Sequence, residues 1–130
     1  MIVVDASVLA PALADDGTIG ASARARLSNE RLTAPELIDL ETVSVLRGLS
    51  SAGVLEDRRA TQALVHLRQL PITRVAHRTL IPRCWELRHN LTPYDAAYVA
   101  LAEFLGVRLV TADTRLARSF GPTCQIDVLS

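Results

Sequence analysis

The sequence of 130 residues predicts an α/β fold in which a parallel sheet is covered by helices. Short β-branched or apolar runs alternate with longer segments of helical pattern, and this alternation is typical of parallel sheets. Hydrophobic residues make up 49% of the chain, which is enough for a compact core. No repeat, low-complexity stretch or Pro/Gly-rich linker interrupts the chain, so we expect one domain over residues 1–130.

The first half of the chain contains two predicted strands, Ile2–Val4 and Leu32–Ala34. Pro35 suits the first turn of a helix, where its missing N–H has no partner to lose. Breaks are expected at residues 15–17 and at Gly53, where glycine and aspartate interrupt the helical pattern. The predicted helices of this half are Ala6–Ala14, Thr18–Leu27, Pro35 to about Ser50, and Leu55–Leu70.

The second half contains the clearest helix start in the sequence. Thr92 is a good N-cap, Pro93 suits the first helical position, and Asp95 lies three residues after the cap. This helix should reach Phe104 and stop at Gly106. The other predicted elements are strands at Ile72–Val75, Val107–Thr111 and Gln125–Leu129, and helices at His77–His89 and Asp113–Ser119. The first of these helices should have a kink or a late start at Pro82.

Charge and cysteine content exclude several classes of protein. The 14 basic and 14 acidic residues cancel, which argues against nucleic-acid binding through bulk positive charge. Every basic residue is arginine, so any mechanism that needs a lysine is excluded. Two cysteines do not make a disulfide framework. With no apolar run of roughly 18–20 residues and no basic segment at the start, we expect a cytoplasmic protein without a membrane anchor.

Two aspartates follow predicted strands at the edge of the sheet where ligands bind. Asp5 directly follows the first strand, and Asp113 comes two residues after the strand that ends at Thr111. Either residue taken alone could equally be a helix N-cap. Asp95, taken alone, is better explained as the acidic member of a capping box with Thr92. These interpretations are compatible, because a carboxylate at a helix N-terminus is also well oriented toward a metal ion.

Glu41 is predicted to face the core side of its helix. Three of its four neighbours at helical spacing are apolar, namely Leu37, Ile38 and Val45. A buried carboxylate needs a compensating partner, and Arg47 lies on another face of the helix. The partner must therefore come from outside the helix. A distant arginine and a bound cation both remain open.

Convergence of the four acids would create a strongly repelling cluster. Two like charges ~4 Å apart cost about 4 kcal/mol at an effective dielectric near 20. Oxygen-preferring divalent cations such as Mg²⁺ or Mn²⁺ relieve such repulsion. The histidines and cysteines of the chain do not have the spacing of a zinc site. They are His66, His77, His89, Cys84 and Cys124.

Four segments in register resemble the PIN-domain nucleases, and within them the VapC toxins. Any one of these motifs is weak, but their order, spacing and total length agree together, so the resemblance covers essentially the whole chain. The segment from Leu55 to His89 is the part that the family motifs define least. The four segments are Val4–Ser7, Ala34–Leu37 leading to Glu41, Tyr94–Ala102 and Leu109–Leu116.

The resemblance implies a three-layer PIN-like fold with a parallel sheet of about five strands. It also implies a ribonuclease that uses one or two Mg²⁺ ions, with Mn²⁺ as a substitute, and leaves 5′-phosphate and 3′-hydroxyl ends. The matching acids are Asp5, Glu41, Asp95 and Asp113, and the matching accompanying hydroxyls are Ser7 and Thr111. Arg115 is the arginine nearest in sequence to one of these acids. We expect it to be a solvated helix residue and not an RNA contact. The implied partners are an antitoxin that blocks the acidic pocket and a second copy of the chain that packs through helical faces.

Other enzyme classes fit the residues less well. A receiver domain needs a lysine, and a haloacid-dehalogenase-type phosphatase needs a second aspartate where this chain has Ser7. No nucleophile-elbow motif for Ser-His-Asp hydrolysis is present. Two alternatives remain: a catalytically silent PIN fold that only binds a partner, and a housekeeping RNA-processing nuclease. The complete set of acids argues against the first, and the short chain favours a toxin over the second.

Overall fold

A parallel sheet of five strands lies at the centre of the computed structural model, which describes Met1–Ser130 throughout. The strand order is β3-β2-β1-β4-β5, so the chain starts in the middle of the sheet and adds strands on both sides. The switch point between β1 and β4 is where open α/β sheets place their ligands. The strands are β1 (Ile2–Val4), β2 (Leu32–Pro35), β3 (Thr73–Val75), β4 (Leu109–Thr111) and β5 (Ile126–Val128).

Helices flank the sheet on both faces. Successive side chains of a strand point to opposite faces, and all three residues of β1 are buried, so both faces must be covered. This confirms the predicted α/β class and the strand number. None of the helices combines the length and the apolar character needed to cross a bilayer. The helices are α1 (Ala6–Ala14), α2 (Thr18–Leu27), α3 (Leu37–Ser51), α4 (Asp57–Gln69), α5 (Ile81–Glu86), α6 (Pro93–Leu105) and α7 (Thr114–Arg118).

Helix α6 is the central helix of the core. It packs against β1, β2 and β4, and its residues from Ala96 to Ala102 are all buried. The predicted start and end of α6 are confirmed: Thr92 caps it, and Gly106 ends it with a φ of 66°, a conformation that favours glycine. Because Asp95 lies in the first turn of this rigid helix, the core itself holds that residue in place.

Two predicted helices differ from the structure. Pro35 does not start a helix but ends β2, because it pairs with Val75 of β3 and the next amide, of Glu36, donates to the Val75 carbonyl. The helix predicted over His77–His89 is shorter than expected, although the predicted late start near Pro82 is confirmed. Residues Arg78–Leu80 form a 3₁₀ turn, and only Ile81–Glu86 are α-helical, with Pro82 in the first turn. The remaining boundaries agree to within two residues, which is the usual spread at element ends.

Candidate active site

The carboxyl ends of β1 and β4 open into a cavity of about 290 Å³. All four acids that the sequence singled out line it, and each comes from a different part of the fold. Asp5 follows β1, Glu41 lies on α3, Asp95 lies in the first turn of α6, and Asp113 precedes α7. The fold therefore brings together carboxylates that are far apart in the chain.

Asp5 is the most tightly held of these acids, with 8% of its surface exposed. It caps α1 by accepting the Ser7 amide at 3.1 Å, and the Ser7 hydroxyl donates to the same oxygen, Oδ1, at 2.5 Å. The Thr111 hydroxyl donates to Oδ2 at 2.5 Å. Burial raises the pKa of Asp5, while the hydrogen bonds from Ser7 and Thr111 work to lower it. The carboxylate is thus fixed in one orientation despite its burial.

The hydroxyls of Ser7 and Thr111 also connect the two sides of the switch point. The Ser7 hydroxyl accepts the Ala112 amide at 2.8 Å, and the Thr111 hydroxyl accepts the Asp113 amide at 3.1 Å. Each hydroxyl therefore donates to Asp5 and accepts from the segment between β4 and α7. This network keeps the position of Asp113 in register with that of Asp5.

Glu41 is less buried than the apolar pattern around it predicts. Val45 is 40% exposed and lines the cavity with Glu41, whereas Ile38 is fully buried and Leu37 packs against the core. Glu41 therefore lies where the buried face of α3 meets the cavity. The partner outside the helix is Tyr98, whose hydroxyl donates to Glu41 Oε1 at 2.5 Å, and Glu41 forms no ion pair. Burial raises the pKa of Glu41, the hydrogen bond from Tyr98 lowers it, and the charges of Asp95 and Asp5 raise it further. The net shift is upward.

Asp95 has the predicted cap at its own backbone, since its amide donates to the Thr92 hydroxyl at 3.2 Å. Its carboxylate lines the cavity. Burial raises the pKa of Asp95, and the nearby charge of Asp113 raises it further, whereas Arg115 works to lower it. Asp95 therefore both takes part in the helix cap and lines the cavity.

Asp113 differs from the other three acids because it already has a cationic partner. Its Oδ1 accepts the Arg115 amide at 2.9 Å as the N-cap of α7, and the Arg115 guanidinium lies 3.3 Å from Oδ2. Burial works to raise the pKa of Asp113, but the hydrogen bonds and charge of Arg115 outweigh it, and the pKa is lowered. The Arg115 side chain is 88% exposed, which agrees with the expected solvated position. Its ion pair with Asp113 is not indicated by the sequence.

The donor chemistry of this cavity fits a divalent cation. All four candidate ligands are carboxylates, which Mg²⁺ and Mn²⁺ prefer, and three of them have raised pKa values, as burial and neighbouring charge dictate. No group of three or more His, Cys, Asp or Glu side chains stands close enough to form a metal site as it is. A cation at this place would therefore require movement of side chains other than Asp5 and Glu41, whose carboxylates are held by hydrogen bonds.

Comparison with known proteins decides the family. The profile described as "PIN domain" matches residues 2–119. The chain belongs to the PIN-domain family. Ribonuclease VapC9 of Mycobacterium tuberculosis is 45% identical to it over 129 residues, which are 99% of this chain and 98% of that protein. This identity over the full length places the chain among the VapC-type members of the family.

Two solved structures share the fold of this PIN domain. The crystal structure of Mycobacterium tuberculosis VapC20, described as a sarcin-ricin loop cleaving toxin, has a TM-score of 0.68 at 17% identity and covers 91% of this chain and 94% of its own. The crystal structure of PAE2754 from Pyrobaculum aerophilum has a TM-score of 0.71 at 24% identity and covers 98% of this chain and 83% of its own. At these identities the likeness concerns the fold alone.

A larger cavity, of about 680 Å³, lies at the opposite edge of this PIN domain. Its charged groups are paired with one another: Asp127 lies 3.3 Å from Arg26 and 3.1 Å from Arg108. Because these charges are already compensated, this cavity offers no carboxylate cluster that needs a cation. The smaller acidic cavity is therefore the candidate active site.

Tyr98 is a hydrogen-bonding residue of the site that the sequence does not indicate. It falls within the motif segment Tyr94–Ala102, whose pattern predicts it only as part of the helix. The signal that points to it is its spacing, because a residue three positions after Asp95 lies on the same face of α6. Its partner, Glu41, comes from another element and could not be identified from the spacing.

Proposed function

We propose that this PIN domain, acting as one domain over residues 1–130, is a ribonuclease that hydrolyses RNA phosphodiester bonds with Mg²⁺, and that Mn²⁺ can replace Mg²⁺. The observation that carries the proposal is the set of four carboxylates around one cavity at the carboxyl edge of the sheet. The family is one of metal-dependent nucleases, and VapC9, which is similar along its whole length, is named a ribonuclease.

The four acids have different roles in the proposed mechanism. Asp5 and Asp95 would hold the cation most directly, and Glu41 and Asp113 would complete the site or position the attacking water. When bound, the cation lowers the pKa of a coordinated water and stabilises the charge that builds on the phosphate oxygens. Ser7 and Thr111 keep the Asp5 carboxylate turned toward the cavity through their hydrogen bonds. The products carry 5′-phosphate and 3′-hydroxyl ends.

Replacement of Asp5 tests the proposal directly. Asp5→Asn keeps the size of the side chain but removes its charge, so cleavage of RNA in Mg²⁺ should fall by roughly 100-fold or more. Asp127→Asn is the matched control, because Asp127 lies in the cavity at the opposite edge of the sheet. Undiminished cleavage by a folded D5N protein would remove Asp5 from the mechanism.

Two measurements, made together, distinguish an enzyme from a catalytically silent module that only binds a partner. The enzyme should melt at a higher temperature when Mg²⁺ or Mn²⁺ is added, because a ligand that binds only the folded state stabilises it, and it should cleave RNA. A protein that shows neither effect is the silent module.

We further propose that the protein is the toxin of a type II toxin–antitoxin pair in the cytoplasm, with a VapB-like antitoxin as its partner and a homodimer as its working form. The support is the 45% identity to VapC9 over nearly the whole of both chains. Induced expression should arrest growth for the wild type and not for D5N, and co-expression of a short adjacent reading frame should restore growth. Growth that continues despite active nuclease favours the housekeeping alternative. Sequencing the new RNA ends identifies the target.

A further inference from the structure

The hydroxyl of Tyr98 is the polar end of an otherwise buried side chain. Tyr98 is 1% exposed, and its neighbours in α6, from Ala96 to Ala102, are all buried. The hydroxyl reaches the edge of the acidic cavity and donates to Glu41 Oε1. A tyrosine hydroxyl at such depth needs a hydrogen-bond partner, and Glu41 is the partner it has. The donor is fixed in space because the ring that carries it is packed in the core.

This hydrogen bond links two helices that have different packing partners. Helix α3, which carries Glu41, packs against α1, α4 and β2, whereas α6, which carries Tyr98 and Asp95, packs against α5 and the central strands. The bond therefore joins the helix that carries Glu41 to the helix that carries Asp95 at the wall of the cavity. One turn of α6 presents Asp95 to the cavity and the Tyr98 hydroxyl to Glu41.

Glu41 depends on this hydroxyl for its orientation. Its carboxylate accepts no other hydrogen bond and forms no ion pair, and it borders the exposed side of α3 beside Val45. The negative charges of Asp5 and Asp95 repel it. A long and flexible side chain under such repulsion would turn toward water if nothing held it. The Tyr98 hydroxyl binds Oε1 and leaves Oε2 without a protein partner.

We propose that Tyr98 is a positioning residue of the metal site, which holds the Glu41 carboxylate toward Asp5 and Asp95 and leaves its second oxygen available to the cation. This inference rests on the proposed function, because it adopts the role given there to Glu41. Burial and the adjacent Glu41 carboxylate raise the pKa of Tyr98, so the phenol stays protonated and acts only as a donor.

Calorimetric titration with Mn²⁺ measures this role without using activity. Tyr98→Phe keeps the ring and removes the hydroxyl, so the affinity for Mn²⁺ should fall by about 10-fold to 100-fold, the usual cost of losing a residue that orients a metal ligand. The matched control is Tyr94→Phe at the only other tyrosine, which is 62% exposed and does not line the cavity. Y94F should bind Mn²⁺ like the wild type. In RNA cleavage, Y98F should lower kcat and leave KM unchanged.

A double-mutant comparison shows whether Tyr98 acts through Glu41. In a Glu41→Gln background the loss of the Tyr98 hydroxyl should cost little further affinity, because the carboxylate that it orients is already gone. Wild-type Mn²⁺ affinity in Y98F, or an equal loss with and without Glu41, overturns the inference. Wild-type Mn²⁺ affinity in both D5N and E41Q overturns the proposed metal site itself and leaves the Tyr98 inference without a basis.

If Y98F unfolds at a lower temperature than the wild type, a spectroscopic measurement tests the Tyr98–Glu41 hydrogen bond instead. In wild-type protein with labelled tyrosine, the Tyr98 hydroxyl proton should give a slowly exchanging, downfield NMR signal that persists in Y94F and disappears in Glu41→Ala. The absence of such a signal in the wild type, or its survival in E41A, contradicts the hydrogen bond on which the inference rests.

Discussion

Asp5 and Asp95 lie at the same cavity but are held in different ways. Asp5 accepts hydrogen bonds from the Ser7 amide, the Ser7 hydroxyl and the Thr111 hydroxyl, and these bonds favour the folded state although burial raises the pKa of Asp5. Burial and the facing charge of Asp113 raise the pKa of Asp95, so its charged form opposes folding at neutral pH. Removal of the side chain should therefore have different consequences at the two residues.

This contrast predicts opposite effects of two substitutions on the metal-free protein. Asp5→Ala should lower the free energy of unfolding by about 2 kcal/mol or more, because it removes an N-cap and leaves the buried Thr111 hydroxyl and the partly buried Ser7 hydroxyl without their acceptor. Asp95→Asn should raise it, because it removes repulsion and keeps the backbone cap from Thr92. Urea unfolding at neutral pH in the presence of a chelator measures both. A destabilised D95N would show that the repulsion at the cavity is negligible.

The elements differ in how far local sequence determines them. Helix α6 could be predicted at both ends because its cap, its first-turn proline and its terminal glycine are all local signals. Pro35 was assigned to a helix because its local preference suits a first turn, yet pairing with β3 keeps it in a strand. The same limit applies at the site. Four acids could be singled out by position and motif, whereas the Tyr98–Glu41 contact depends on how α3 and α6 are placed in space.

The junction of α1 and α2 is another place where a close approach decides the structure. A Cβ at Gly20 would lie 1.8 Å from the Asp15 carbonyl oxygen, and the Gly20 amide donates to the Asp15 carboxylate at 2.6 Å. Only glycine lets the first turn of α2 pass this close to the end of α1. By contrast, a Cβ at Gly48 in α3 would meet no atom within 4 Å.

Alanine substitutions at these two glycines should therefore act in opposite directions. Gly20→Ala should destabilise the protein by about 1–3 kcal/mol, the usual cost of overpacking, because backbone must move to admit the methyl group. Gly48→Ala should stabilise it by roughly 0.5–1 kcal/mol, since alanine is the better helix former at an open position. Thermal unfolding of the two variants beside the wild type measures the difference. Equal melting temperatures for the two variants would mean that the α1–α2 contact is not tight.

The charge of the molecule is balanced overall but uneven in space. The formal net charge is zero, yet four carboxylates share one cavity and Arg115 is the one basic side chain paired with any of them. This concentration arises from the strand order, because β1 and β4 are neighbours and their carboxyl ends bring Asp5 and Asp113 to one edge. Without a cation, the folded state must tolerate this local repulsion.

Burial and repulsion at the cavity together predict how the stability of the metal-free protein depends on pH. Burial, together with neighbouring charge at Glu41 and Asp95, raises the pKa values of Asp5, Glu41 and Asp95 in the folded state. Between the ordinary carboxyl pKa and these raised values, the folded protein holds more protons than the unfolded chain. Its stability should therefore fall as pH rises through this window, by at most about 1.4 kcal/mol per pH unit for each extra proton.

Unfolding measured at a series of pH values, with and without Mg²⁺, checks the direction of this pH dependence. Asp113, Asp16 and Glu103 have lowered pKa values and give the opposite slope at lower pH, so the wild type is compared with the E41Q/D95N double variant. The double variant should lose less stability as pH rises toward neutral, and Mg²⁺ should flatten the dependence only in the wild type. Identical pH curves for the two proteins would mean that these carboxylates titrate normally.

The most direct measurement is anomalous X-ray diffraction from crystals grown with Mn²⁺. We expect one or two anomalous peaks inside the acidic cavity, at ligand distance from Asp5 and Asp95, and no such peak in D5N crystals grown under the same conditions. A cavity without a peak at saturating Mn²⁺, or a peak only at other places on the surface, would contradict the claim that these carboxylates form a single cation site.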